Sequence, residues 1–182
     1  MVLPIYLYGQ PVLRETAQVV DLNEKAEIDK LVQDLWDTLA VADGCGLAAP
    51  QVGISKRMVI VDGTGLTDTY DYLEGFKKTL INPVITQESE ECSIYSEGCL
   101  SVPGIYADVR RPKKITVEYY DEKLQKHVEE FDNFAARIVQ HELEHLDGGL
   151  FVDDVAPIRK KLISKKLAGI AARKIQTRYK SR

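Results

Sequence analysis

The sequence lacks the features that would hold it in a membrane or in a disulfide framework. It has three cysteines in 182 residues, a small odd number that gives little support for disulfides. No apolar run is long enough to span a bilayer, and residues 1–10 lack the charged-then-apolar layout of a signal peptide. We therefore expect a cytoplasmic protein with no membrane partner, in which a special cysteine is a ligand or a nucleophile.

Acidic residues are absent from the last part of the chain. Residues 157–182 contain ten of the 24 Lys and Arg residues and no Asp or Glu, although the whole chain has a net charge of −4. The other residues therefore hold 14 basic and 28 acidic groups. An acidic body with a basic tail predicts an anionic partner for the tail, and a solvated helix face is the alternative.

The length suits one domain, 1–182, and the hydrophobic pattern predicts an α+β fold. Apolar residues at helical spacing predict helices over 24–43 and 134–146, and a basic C-terminal helix over about 157–182. Because the second helix is apolar on most sides, we expect it to be central and buried. Strands are predicted over 57–62, 80–86, 114–121 and 126–131. Strands grouped between separated helices favour antiparallel β-sheets around that central helix.

Two features of the middle section are less regular. Pro83 lies inside the second predicted strand and indicates an edge strand or a bulge. Residues 62–78 form a polar, glycine-containing segment, and the sequence does not define its order or its role.

The strongest chemical signal lies on the second helix, in His141-Glu142-Leu143-Glu144-His145. Four residues of an α-helix turn through about 400°, so the two histidines lie on one face where both imidazoles can reach one metal ion. Glu142 can then reach a water on that ion. Because polar groups are costly on a buried apolar helix, this pattern indicates a metal site. The third histidine, His127, lies in a charged strand and is assigned no role.

A catalytic metal site needs a third protein ligand, and the residues alone leave its source open. A protease pattern would continue to a further histidine, but that position holds Phe151. The carboxylates near the helix end would have to fold back: Asp147, Asp153 and Asp154. The other source is a thiolate in Glu97-Gly98-Cys99-Leu100-Ser101, where Gly98 lets the backbone approach closely.

Three segments together make the chain resemble the peptide deformylases. In chain order they are Gly44-Cys45-Gly46-Leu47-Ala48-Ala49-Pro50-Gln51, Glu97-Gly98-Cys99-Leu100-Ser101 and Gln140-His141-Glu142-Leu143-Glu144-His145. They match the family patterns Gly-x-Gly-x-Ala-Ala-x-Gln, Glu-Gly-Cys-Leu-Ser and Gln-His-Glu-x-x-His at every fixed position. The resemblance covers nearly the whole chain apart from 62–78. Cys45 is a departure, because Ile or Val is more usual there.

The resemblance implies metal-dependent hydrolysis of the N-formyl group of formyl-methionine on newly made polypeptides, with release of formate. One divalent ion would be bound by Cys99, His141 and His145. Fe²⁺ is the usual ion of the family, and Zn²⁺, Ni²⁺ or Co²⁺ can substitute. Glu142 would be the general base, while the side-chain amide of Gln51 and the N–H of Leu100 would stabilise charge on the formyl oxygen.

The resemblance also implies a pocket for the methionine side chain. We expect this pocket to be lined by Cys45, Gly46, Tyr95, Glu97, Phe134, Ile138 and His141. The backbones of Gly46 and Gly98 would hold the peptide as an added strand. The expected partners are formyl-methionyl nascent peptides and, through the basic C-terminal helix, the ribosome.

Two other functions compete with this interpretation. A zinc metalloprotease could use the same helix, but it would have no use for Gln51 or Cys99. A non-enzymatic module could hold a structural Zn²⁺ closed by Cys92 or Cys45, but such a closed site would not need Glu142.

Overall fold

The structure is a computed structural model that describes residues 1–182, and it contains three helices and seven strands. The helices are α1 (Lys25–Ala42), α2 (Asn133–His145) and α3 (Pro157–Ala171). The strands are β1 (Gly46–Ala48), β2 (Met58–Asp62), β3 (Lys77–Glu88), β4 (Cys92–Cys99), β5 (Val102–Pro112), β6 (Lys114–Tyr120) and β7 (Lys126–Asp132). The predicted α+β class is confirmed.

The strands form two sheets, and all the strand pairs within them are antiparallel, as predicted. One sheet has five strands in the order β1-β2-β3-β6-β7, and the other is the β4–β5 pair. Pro83 lies at a register shift between Ile81 and Val84, so it marks a bulge. It is not on an edge strand, because β3 pairs with a strand on each side. The segment between β2 and β3 contains the short 3₁₀ turns Thr64–Leu66 and Asp71–Leu73.

The five-stranded sheet is packed between α1 and α2, and β2 shows how the sequence produces this layering. Side chains alternate across a strand, so Met58 and Ile60 pack with the core around α1, whereas Val59 and Val61 pack with the core around α2. All four residues are buried, which explains the continuous apolar run of this strand. Each such side chain stabilises the fold by roughly 1.5–3 kcal/mol through burial.

Helix α2 is the central element, and ten of its 13 residues are buried. It packs against β1, β2 and β7 and also contacts β5 and β6. The predicted buried helix is therefore confirmed, and its polar residues are enclosed by protein on nearly all sides. None of the three helices is both long and apolar enough to cross a membrane.

The C-terminal helix is shorter than the sequence pattern predicts. It ends at Ala171, because Arg173 adopts a left-handed conformation with φ of 57°. The N–H of Lys174 then donates to the carbonyl of Gly169 at 2.9 Å. The N–H of Arg173 donates to the carbonyl of Ile170, also at 2.9 Å. This pair of bonds is a Schellman motif, which satisfies the last carbonyls of the helix. The predicted helix is thus wrong beyond residue 171.

The last residues return to the amino-terminal segment. The N–H of Ile5 donates to the carbonyl of Lys180 at 2.9 Å, and the N–H of Leu7 donates to that of Arg182 at 2.7 Å. The N–H of Arg182 donates back to the carbonyl of Ile5 at 2.8 Å. The two chain ends are therefore joined by backbone hydrogen bonds.

Candidate active site

Three possible metal ligands converge where the end of β4 meets α2. The ligand atoms of Cys99, His141 and His145 all lie within 4.8 Å of one another, and the Cys99 Sγ and His145 Nε2 atoms are 3.4 Å apart. Tetrahedral bonds of about 2.0–2.3 Å place neighbouring ligand atoms about 3.5 Å apart. The group therefore fits a single ion with little rearrangement.

The other ligand sources considered from the sequence do not join this group. The aspartates near the helix end pair with arginines: Asp147 with Arg57, Asp153 with Arg14, and Asp154 with Arg111. The ring of Phe151 packs beside His141, with centroids 5.9 Å apart. Cys92 and Cys45 are free thiols, and neither belongs to the ligand group. A closed four-ligand site of the structural type is thus not formed.

Glu97 lies at the centre of a buried polar network that orients His141. Its carboxylate accepts hydrogen bonds from His141 Nδ1 at 2.8 Å, from Arg111 Nε at 2.7 Å and from Arg137 Nη1 at 2.6 Å. Burial opposes its charge, but the bonds from His141 and Arg111 outweigh it and hold the pKa of Glu97 well below its ordinary value. Because Nδ1 is occupied, the Nε2 atom of His141 faces the ligand group.

Glu142 is buried beside the ligands and has one carboxylate oxygen, Oε2, without a hydrogen-bond partner. Its Oε1 lies 3.9 Å from His141 Nε2. Burial raises the pKa of Glu142 to about 7. A Cβ added at Gly46 would lie 2.8 Å from the Glu142 Cγ and Oε1 atoms, so glycine is required for this side chain to pack where it does.

Gln51 and Leu100 both adjoin Cys99, the first through its side-chain amide and the second as the next residue in the chain. The Oε1 of Gln51 accepts from the N–H of Ala48 at 2.9 Å, which turns its Nε2 toward Cys99 Sγ at 3.4 Å and Ser101 Oγ at 3.0 Å. The N–H of Leu100 donates no hydrogen bond within the protein. Two N–H groups are therefore close to the ligand group, and one of them is free to bind a substrate oxygen.

Aromatic rings form a half-buried wall two helical turns from His141. Phe134 stacks on Tyr70 with centroids 4.6 Å apart and packs edge-on against Tyr95 at 5.1 Å. Phe134 and His141 are seven residues apart on α2 and so share one face. The half-buried thiol of Cys45 packs on the same core as Phe134 and Ile138. Tyr70 comes from the segment 62–78, whose role the sequence did not define.

Two arginines of the site were not found from the sequence. Arg137 is 2% exposed, although α2 was interpreted as an apolar helix, and it also donates to the carbonyls of Val109 and Ser93. Arg111 links Glu97 to Glu144, with 2.8 Å between its Nη1 and the Glu144 carboxylate. An arginine next to an otherwise apolar stripe is the signal that could have indicated a buried acidic partner.

A thiol at the end of β4, with two imidazoles and a buried carboxylate on α2, is the set of side chains that a metallohydrolase site requires. The model of the polypeptide deformylase family matches residues 2–161. A peptide deformylase of Christiangramia forsetii is 43% identical over 189 residues, covering 100% of this chain and 96% of that protein. One of Fusobacterium nucleatum is 44% identical over 172 residues, covering 93% of each.

Solved structures agree with the sequence relatives. The peptide deformylase of Thermus thermophilus superposes with a TM-score of 0.81 at 37% identity, over 95% of this chain and 97% of that one. A peptide deformylase of Plasmodium falciparum gives a TM-score of 0.83 at 34% identity, over 93% and 95%. The chain belongs to the polypeptide deformylase family, which confirms the resemblance identified from the three segments.

Proposed function

We propose that this chain hydrolyses the N-formyl group of the amino-terminal formyl-methionine of newly made polypeptides and releases formate. Membership of the deformylase family supports this reaction. At the site, the observation that carries it is the buried carboxylate of Glu142, whose Oε1 lies 3.9 Å from His141 Nε2, one of three atoms that can hold a metal. A carboxylate in that position is suited to activate water at the metal.

One divalent ion would be held by Cys99 Sγ, His141 Nε2 and a ring nitrogen of His145. Such an ion supplies Lewis-acid chemistry, because it lowers the pKa of a bound water and polarises a carbonyl. Three protein ligands leave a further position open, as catalytic sites require. We propose Fe²⁺ as the native ion from the family resemblance. Zn²⁺, Ni²⁺ and Co²⁺ are substitutes, because all four accept one thiolate and two imidazoles.

Glu142 is proposed as the general base and then the general acid. Its carboxylate, with Oε1 3.9 Å from His141 Nε2, can accept a proton from the attacking water, and the same carboxyl can return that proton to the leaving amine. A pKa raised to about 7 by burial suits a group that must both accept and donate a proton near neutral pH. The absence of a side chain at Gly46 leaves the space that this carboxylate occupies.

Gln51 and Leu100 are proposed to stabilise the negative charge that develops on the formyl oxygen. The Gln51 amide is oriented by the N–H of Ala48, so its Nε2–H bonds point toward Cys99 before substrate binds. The N–H of Leu100 makes no hydrogen bond within the protein, so the formyl oxygen could accept from it without displacing another group. Donors that are oriented in advance contribute most to catalysis, because they need no reorganisation during the reaction.

The methionine side chain is proposed to bind against the aromatic wall formed by Phe134, Tyr95 and Tyr70. Thioether sulfur and methylene groups pack well against aromatic rings. Cys45, Gly46 and Ile138 would complete the pocket, and the backbones of Gly46 and Gly98 would pair with the peptide. Glu97 would act on this pocket indirectly, since its carboxylate is already bonded to His141.

Ribosome binding through α3 is a further part of the proposal, and it implies a cytoplasmic location. The helix exposes apolar residues, with Ile158 73% and Leu162 67% exposed. Its four lysines are exposed and make no ion pair within the protein: Lys160, Lys161, Lys165 and Lys166. Such a surface suits phosphate contacts that do not depend on sequence and weaken as salt is added.

Charge reversal at those four lysines tests ribosome binding. Activity on a free formyl peptide should stay near the wild-type level, while co-sedimentation with ribosomes at low salt should fall. The matched comparison is reversal of Lys165 and Lys166 alone against reversal of Lys123 and Lys126, two exposed lysines outside α3 that also make no ion pair. Equal co-sedimentation of both variants, or none for the intact protein, would show that α3 does not bind ribosomes.

The proposed reaction is tested with formyl-Met-Ala-Ser and protein purified under reducing, oxygen-free conditions. Formate and a new free amine should appear in equal amounts. Acetyl-Met-Ala-Ser is the matched substrate, and it should react far more slowly because the formyl hydrogen is replaced by a methyl group. Cleavage of the internal peptide bonds without formate release would indicate a protease instead.

A further inference from the structure

The two ends of the chain lie directly behind the segments that carry Gln51 and Leu100. The N–H of Tyr6 donates to the carbonyl of Gln51 at 2.7 Å, and the N–H of Tyr8 donates to that of Ser101 at 2.8 Å. The returning tail then pairs with the same amino-terminal segment. The segments that carry Gln51 and Leu100 are therefore bonded to the amino-terminal segment, which is itself paired with the tail.

One side chain of the tail reaches the site itself. The hydroxyl of Tyr179 donates to the carbonyl of Leu100 at 2.5 Å. That carbonyl belongs to the peptide group whose N–H, on Ser101, donates to Cys99 Sγ at 3.4 Å. Tyr179, the Leu100–Ser101 peptide and the Cys99 thiol thus form a continuous chain of hydrogen bonds.

We propose that Tyr179 is a positioning residue, which holds the Leu100–Ser101 peptide so that its N–H bonds to the Cys99 sulfur. The proposal rests on the role of Cys99 as a metal ligand in the proposed function. Hydrogen bonds in a chain polarise one another, so a donor on the carbonyl strengthens the N–H on the other side of the peptide. A stronger N–H hydrogen bond to a thiolate draws electron density from the sulfur, and the sulfur then donates less electron density to the bound metal.

The surroundings of Tyr179 keep it in the donor state. The ring is half-buried against the core that also contains Cys99 and Leu100. Burial, with the nearby Cys99 and Tyr106, raises the pKa of Tyr179 to about 12, so the hydroxyl stays protonated at neutral pH. The backbone of the next residue, Lys180, is fixed by Ile5, which holds the ring in reach of Leu100.

The test is Tyr179→Phe, which removes only the hydroxyl, in protein loaded with Co²⁺. Cobalt bound by a thiolate shows a sulfur-to-metal charge-transfer band. We expect this band to move to longer wavelength, because a sulfur with a weaker hydrogen bond gives up an electron more readily. We also expect kcat to fall by up to about 10-fold while KM changes less than about twofold.

Tyr120→Phe is the matched control, since Tyr120 is also half-buried but its hydroxyl makes no hydrogen bond within the protein. It should leave the band and kcat unchanged. If the band of Tyr179→Phe coincides with that of the wild type, the proposal is overturned, whatever happens to kcat. If the wild-type cobalt protein shows no thiolate band, the assignment of Cys99 as a ligand fails first, and the proposal fails with it.

Discussion

Replacement of Glu142, the proposed base, by Gln should stabilise the metal-free protein, relative to the wild type, increasingly as the pH rises. The wild-type carboxyl has a pKa of about 7 in the folded protein against an ordinary value of 4.5. Below pH 4.5 the proton is bound in both the folded and unfolded states. Between pH 4.5 and 7 the unfolded chain loses the proton more readily, so stability falls as pH rises. Above pH 7 the loss is complete.

The magnitude follows from the same two values. One unit of pKa difference between the folded and unfolded states corresponds to about 1.4 kcal/mol. Ionisation of Glu142 therefore destabilises the wild type by about 3 kcal/mol at pH 8 and by less than about 1 kcal/mol at pH 5. The introduced amide has its own cost of about 1–3 kcal/mol if its N–H groups lack partners. That cost does not vary with pH. The unfolding free energy of Glu142→Gln minus that of the wild type should therefore rise by about 2.5 kcal/mol from pH 5 to pH 8, whatever its sign at pH 5.

Urea unfolding of the metal-free proteins at pH 5 and pH 8 measures this difference. Glu122→Gln is the control, because Glu122 is an exposed carboxyl, and its effect should differ little between the two pH values. An equal difference in unfolding free energy between Glu142→Gln and the wild type at both pH values would contradict this prediction. In that case the carboxyl would be solvated in the folded protein and could not be the poised base described above.

The remaining predictions concern the metal and the pocket. Cys99→Ser should weaken metal binding or change the metal preference, because the soft donor is lost, whereas Cys92→Ser should leave the metal content unchanged by elemental analysis. Gly46→Ala should lower kcat by at least about 10-fold at full metal occupancy, because the new methyl group would displace the carboxylate of Glu142. Tyr70→Ala should raise KM for formyl-Met peptides more than for formyl-Ala peptides, and an equal change for both would remove Tyr70 from the pocket.

The sequence predicted the part of the site that lies on one helix. The period of an α-helix is fixed, so the spacing of His141 and His145 was enough to place both rings on one face. No comparable rule connects either histidine to Cys99, which lies more than 40 residues earlier. That contact depends on how β4 packs against α2, so only the family resemblance could supply the third ligand.

The missed strands have a physical explanation. Strand β4 presents Ser93, Tyr95 and Glu97 toward Arg137 and His141 of α2, so its inward face is largely polar and gives no alternating hydrophobic signal. On β5, Ile105, Ala107 and Val109 are buried at alternate positions, but the next inward residue is an arginine. The polar residues of β4 conceal its strand pattern, whereas the alternation on β5 is visible in the sequence although no strand was predicted there.

The end of α3 was mispredicted for a different reason. Its sequence continues with residues that favour helix, and no glycine or proline follows Ala171. The helix stops because the chain ends gain backbone hydrogen bonds by pairing with each other, which is a contact between residues about 175 positions apart. Helix propensity depends on the local sequence, so it cannot predict an end that is set by such a distant contact.

The most direct test of the account compares formate release from formyl-Met-Ala-Ser by wild-type protein and Glu142→Gln at equal metal content. Wild-type protein loaded with one Fe²⁺ per chain should release formate, and removal of the metal should abolish the reaction. The variant should retain the metal and react at least about 10²-fold more slowly, the lower range for loss of a general base. No formate from the metal-loaded wild type, or equal rates for the two proteins, would contradict the account.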